Sequence, residues 1–138
     1  MSNHSLRFAT IAIIILISLT ACRNHPIPGE LNTPLELSFN RFRELESEGL
    51  RLAFLEVTAD NRCPVDADCI SPGDAELLVR VLKDGARLDD LSIQVGDLNP
   101  RPTYVVGDYI IDVIELQPAS PSDNEAGYTL LIEVSRAQ

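Results

Sequence analysis

The chain has no tryptophan, one lysine (Lys83) and three cysteines among 138 residues. Its two histidines are His4 and His25, so nothing beyond position 25 supplies an imidazole. These gaps bound the chemistry. A serine or cysteine nucleophile that relies on a histidine base finds none in the body of the chain. A serine–lysine pair would need Lys83, which stands beside Asp84-Gly85 and reads as an exposed turn residue. No glycine-rich phosphate loop occurs. Zinc wants four nitrogen or sulfur ligands, and from Cys63 onward there are two thiols and no histidine. A carboxylate pair of the glycosidase kind is chemically open. With 21 acidic residues, however, some adjacent pair is inevitable, and no cleft can be read from the spacing. The expectation is a protein that is not an enzyme and carries no cofactor.

Positive charge is the other shortage. Eleven basic residues face 21 acidic ones, a net charge of −10. The basic residues form no cluster that would hold phosphates; the balance disfavours a nucleic-acid partner, and none is expected, and it also disfavours electrostatic adhesion to anionic lipid. The acidity itself suits solubility at a crowded surface.

What is present begins at the N-terminus. Met1–Arg7 is polar with one fixed positive charge, and Phe8–Leu19 is an almost unbroken apolar run. Leu19-Thr20-Ala21-Cys22 follows. This is the layout of a secretory signal. The run of about 12 residues is short of the roughly 20 that a spanning helix needs. Leu19-Thr20-Ala21-Cys22 also resembles the lipobox of bacterial lipoproteins. That resemblance implies a signal peptide at 1–21, cleavage before Cys22, and a covalent diacylglycerol with further acylation on Cys22. Two or more acyl chains make a stable anchor. The expected address is therefore the extracytoplasmic face of the cell envelope, with the membrane reached through the lipid. Arg23 stands where an aspartate often signals inner-membrane retention. Its presence resembles outer-membrane sorting, should the cell have an outer membrane. Removal of 1–21 leaves ten basic and 21 acidic residues, a net charge of −11.

Residues 22–34 hold Pro26, Pro28, Gly29 and Pro34 among polar residues and read as a tether. From Arg23 to Pro34, in a polyproline-like form, it reaches about 37 Å at roughly 3.1 Å per residue. Residues 35–138 alternate like β structure. Leu35, Leu37 and Phe39 share one face. Residues 40–48 are ambiguous between a short edge strand and an irregular link. Leu50–Thr58 is apolar on both faces. Ala75, Leu77, Val79 and Val81 alternate, Asp84-Gly85 supplies a hairpin turn, and Leu91, Ile93 and Val95 continue. Thr103–Val106, Tyr109–Leu116 and Tyr128–Val134 complete the set, with a surface loop from Pro118 to Gly127. About seven short strands with turn signals every 8 to 12 residues predict an antiparallel β-sandwich of immunoglobulin type, with a partly open barrel as second choice. The core is aliphatic, with Phe39, Phe54, Tyr109 and Tyr128 as its large pieces.

The least random stretch is Asn61-Arg62-Cys63-Pro64-Val65-Asp66-Ala67-Asp68-Cys69-Ile70-Ser71-Pro72-Gly73-Asp74-Ala75. With Cys22 assigned to lipid, Cys63 and Cys69 remain as a pair in an oxidising compartment, where a disulfide is expected. A redox-active dithiol usually has closer spacing and a helix N-terminus nearby. The acidic residues invite calcium, with Asp60, Asp66 and Asp68 as ligands, but their spacing does not match the helix–loop–helix signature. The bland alternative is that Asp66 and Asp68 shape the turn through backbone hydrogen bonds. A third reading makes the braced loop a recognition surface built from Arg62, Pro64, Asp66, Asp68 and Asp74, since pre-organisation lowers the ordering cost of binding. Arg62 would suit a trypsin-like pocket, as in a protease inhibitor, against the plainer reading that it lies on the surface or pairs with a nearby aspartate. Arg62-Cys63-Pro64-x-Asp66-x-x-Cys69-Ile70 followed by Gly73-Asp74-Ala75 resembles a motif of small exported bacterial proteins and lipoproteins without assigned activity. The resemblance covers about 35–134 and implies the architecture and the bridge, not a function. Relatives often carry Trp-Ala where this chain has Ser71-Pro72. The expectation is a binding, interaction or structural module whose partner is an envelope protein or a ligand; the alternative is a protease-inhibitor-like or small-ligand binder that presents the Cys63–Cys69 loop.

Overall fold

The computed structural model describes residues 28–96, 101–122 and 124–138. The expected signal sequence and Cys22 lie outside them. Among the described residues eight strands form two antiparallel four-stranded sheets. They are β1 (Pro34–Ser38), β2 (Arg41–Leu45), β3 (Leu50–Asp60), β4 (Asp74–Lys83), β5 (Ala86–Gly96), β6 (Thr103–Val106), β7 (Tyr109–Gln117) and β8 (Thr129–Arg136). One sheet runs β1-β8-β7-β6 and the other β2-β3-β4-β5.

The antiparallel sandwich predicted from the alternation is what forms, with eight strands in place of about seven. The additional strand is β2, in the ambiguous stretch 40–48, which resolves into a short edge strand and a 3-10 turn at Glu46–Glu48. The connectivity differs from an immunoglobulin domain. There the chain switches between sheets repeatedly in a Greek key. Here it switches twice, from β1 to β2 and from β5 to β6, and each sheet is otherwise a meander. The molecule is thus a flattened up-and-down arrangement. In the β4–β5 turn Asp84 and Gly85 sit at φ of 51° and 80°, the positive values that a two-residue hairpin requires.

Among the described residues the two inner faces supply a core of 21 buried apolar residues, including Leu37, Leu52, Phe54, Ile93, Ile111, Leu130 and Ile132. Phe54, Tyr109 and Tyr128 are buried as expected, and Phe39 packs edge-on against Phe54 with ring centroids 5.7 Å apart.

Bulges keep this core apolar. Strict alternation beyond Phe54 would turn Glu56 and Thr58 inward. Register shifts between Phe54 and Glu56 and between Val57 and Ala59 expose both and place Val57 opposite buried Leu77. They also leave Asp60 opposite buried Ala75, so that its side chain faces the end of the core. In β7 a shift between Val113 and Glu115 likewise exposes Glu115 and buries Leu116.

Residues 28–34, expected as free tether, lie against the domain. The Gly29 amide donates to the Glu44 carbonyl at 2.9 Å and the Asn32 amide to the Val134 carbonyl at 2.8 Å, while Leu31 packs on the core. A β-carbon on Gly29 would come within 2.7 Å of Leu35, so glycine allows the close approach. The segment bridges the two sheets and enters beside the 3-10 turn at Glu46–Glu48. That end also holds the β4–β5 turn, the β6–β7 turn and the end of β8. The opposite end holds the β3–β4 loop, with its cysteines, and the β7–β8 loop.

Candidate functional site

The β3–β4 connection is a hairpin arm extended past the sheet. The Asn61 amide donates to the Asp74 carbonyl at 2.8 Å, and the Cys63 amide to the Pro72 carbonyl at 2.7 Å. Gly73 makes the crossing possible. Its φ is +69°, and a β-carbon there would overlap the Asn61 carbonyl oxygen. Cys63 and Cys69 form a disulfide, with Cα atoms 5.9 Å apart. Within the closed ring the Ala67 amide donates to the Pro64 carbonyl, a turn of the backbone itself. Closure of so short a loop stabilises the fold by about 2 kcal/mol in the chain-entropy model.

The base of the arm is fixed by charge. Arg62 makes a two-pronged contact with Asp60, Nε to Oδ1 at 2.8 Å and an Nη to Oδ2 at 2.7 Å. It also donates to the Leu116 carbonyl at 3.2 Å and the Ser120 carbonyl at 3.4 Å. Asp60 accepts from the Tyr128 hydroxyl at 2.7 Å, and that hydroxyl accepts from the Ser122 amide at 2.9 Å. The Val65 amide donates to the Ser120 hydroxyl at 3.0 Å. The end of β3, the end of β7 and the β7–β8 loop are thereby joined at one point. The ion-paired side chains are nearly out of solvent, 10% exposed for Arg62 and 8% for Asp60.

The titration of the network follows from this. Burial alone would raise the Asp60 pKa, but hydrogen bonds from Arg62 and Tyr128 outweigh it and hold the carboxyl below the usual aspartate range. Arg62 is raised by its hydrogen bonds to Asp60. The Tyr128 phenol is raised first by burial and then by donating to Asp60.

The predicted site residues divide under this geometry. Arg62, expected as a possible anchor for a trypsin-like pocket, points inward and is spent on Asp60, so the pairing with a nearby aspartate is the arrangement found. Asp60, expected as a calcium ligand, is likewise committed to Arg62 and Tyr128. Pro64, Asp66 and Asp68 are exposed, while Asp74 begins β4 half-buried. The turn bond goes from Ala67 to Pro64 and not through the aspartates, whose carboxylates have no hydrogen-bond partner among the described residues. Among the described residues no group of three or more His, Cys, Asp or Glu is placed to hold a metal.

Neither protein families, nor curated proteins, nor solved structures give a match to this chain.

Two residues dominate the tip: Ile70, named above only as a position of the motif, and Val65, to which the sequence reading gave no role. Ile70 is as exposed as in an extended peptide, at 109%, and Val65 is 80% exposed. They are the most exposed large apolar side chains described, and one ring carries both or flanks them closely. The signal was there: Val65 and Ile70 are the only branched aliphatics between Asn61 and Asp74. Beneath the arm, a shallow depression of about 330 Å³ is bordered by Cys63, Pro72, Val95, Ile114 and Leu116. At the far end of the sandwich Glu48, also unforeseen, accepts from Tyr109 at 2.9 Å and from Arg136 at 2.7 Å. Those bonds hold its pKa low, Arg136 having the larger effect.

Replacement of Arg62 by Ala would leave Asp60 buried without its cation. The expected cost at neutral pH is about 3 kcal/mol of unfolding free energy. Because the folded pKa of Asp60 is depressed, its stabilisation is present above the unfolded value and lost as pH falls through the folded one. The deficit of Arg62→Ala relative to wild type should therefore shrink below about pH 4. Urea titrations across pH measure it, and a deficit constant down to acid pH would assign the loss to packing instead of the ion pair.

Proposed function

We propose that this chain is a lipid-anchored, non-enzymatic binding module of the cell envelope that presents its disulfide loop to another protein. The observation that carries the reading is the placement of the loop at the pole opposite the entry of the N-terminal segment. The strand between these poles, β3, has 11 residues. At about 3.3 Å per residue it separates them by roughly 35 Å. With Gly29 and Asn32 bound to the domain, the chain from Cys22 to Pro28 spans at most about 20 Å. An acyl group on Cys22 would then hold the 3-10 turn pole toward the bilayer and the cysteine loop away from it.

The absence of a histidine beyond position 25 and the engagement of both later cysteines in a bridge support a binding role over catalysis. So does the form of the loop. A segment braced by a disulfide and by Arg62 loses little freedom on binding.

Two experiments test the two halves of the reading. For the anchor, Cys22→Ser should release the protein from membranes on fractionation. Unchanged membrane association would overturn the lipid attachment. For the contact surface, a photo-activatable side chain at Ala67, at the exposed tip, should give discrete protein adducts in intact envelopes. The same probe at Asp84, at the opposite pole, should give none of them. Equal adducts from both positions, or none from Ala67, would overturn the loop as the contact surface.

A further inference from the structure

The tip of the loop combines features that a solvated turn does not need. Val65 and Ile70 stand almost fully in water, while the other large apolar side chains of the domain are mostly packed into the core. Between them lie Asp66 and Asp68, both exposed, with no hydrogen-bond partner among the described residues. The nearest cation along the sequence, Arg62, is held by Asp60. The disulfide and the bonds of Val65 and Cys63 to Ser120 and Pro72 fix the platform beneath. The tip is thus a prong that carries two exposed apolar side chains and two carboxylates with no cation partner among the described residues.

We infer that this prong enters an apolar cleft on a protein whose rim carries lysine or arginine. The inference rests on the reading of the loop as the contact surface and adds the chemistry of what it meets. Val65 and Ile70 supply the apolar anchors, which gain by leaving water. Asp66 and Asp68 select the rim, because a carboxylate brought into an interface without a cation loses its hydration uncompensated. The same charges count against other occupants. An anionic bilayer would repel the tip, and loop-to-loop contact with a second copy would set four carboxylates together.

The test uses the full chain with the photo-activatable side chain at Ala67 in native envelopes. Val65→Ser combined with Ile70→Ser should lower the protein adduct about tenfold. Asp66→Asn combined with Asp68→Asn should lower it by a smaller factor. Raising salt to about 0.5 M should bring the unmodified loop down to the level of that pair and leave the pair itself unchanged. The four side chains are exposed, so both variants should melt with the wild type. A protein adduct insensitive to the apolar pair, or to both charge and salt, overturns the inference and leaves the loop as the contact surface. Adducts confined to lipid or to a second copy overturn it as well. The absence of any adduct overturns it together with the reading on which it rests.

Discussion

The buried pair of Asp60 and Arg62 is the constraint on which the functional end of the molecule depends. A charge removed from water is tolerated when it is paired and its remaining hydrogen-bonding capacity is met. Here the pairing is two-pronged, Tyr128 supplies a further bond to Asp60, and two backbone carbonyls take other guanidinium donors. Those carbonyls belong to Leu116 and Ser120, on the strand and loop across the sandwich. The pair therefore does more than neutralise itself. It ties the arm that leaves β3 to the β7–β8 connection, and so aims the cysteine loop. The disulfide acts further out, closing the tip, and has no reach across the sheets.

The remainder of the fold is arranged to make that pairing available. Two bulges in β3 expose Glu56 and Thr58 and leave Asp60 facing inward beside Ala75. The lack of tryptophan leaves Phe54, Tyr109 and Tyr128 as the largest buried rings, and each tyrosine brings a hydroxyl that must be satisfied. The sandwich answers twice, once at each pole. Tyr128 meets Asp60 at the loop end, and Tyr109 meets Glu48 at the end where residues 28–34 enter. Each carboxylate is in turn held by an arginine, Arg62 or Arg136. The core is aliphatic in the middle and closed at both ends by a tyrosine–carboxylate–arginine arrangement.

Much of this was legible in the sequence. Alternation placed Leu37, Val79, Ile93 and Ile132 on inner faces, and Asp84-Gly85 marked its hairpin, because side-chain period and positive φ are local properties. The cysteine pair also followed from local spacing and from the scarcity of other thiols. The strand order was not legible. A sandwich of short strands admits several windings, and the resemblance to an immunoglobulin layout came from strand number and not from connectivity. The site was legible in part. Arg62 and the aspartates stood out by type, but whether Arg62 faces a partner or Asp60 depends on bulges in β3 and on Tyr128, which is 68 residues away from Asp60. The exposure of Val65 and Ile70 was obscured for a similar reason. An apolar residue is assigned to a core unless the shape of the arm is known. The tether was overestimated because proline and glycine also serve in segments that run bound along a surface.

If the cysteine loop is an ordered platform fixed from below, backbone ¹⁵N relaxation shows it. Order parameters for Val65, Ala67 and Ile70 in the oxidised protein should lie close to those of β3 and β4, about 0.8. Values below about 0.6 at these amides, with the strands rigid, would show a flexible loop and contradict it.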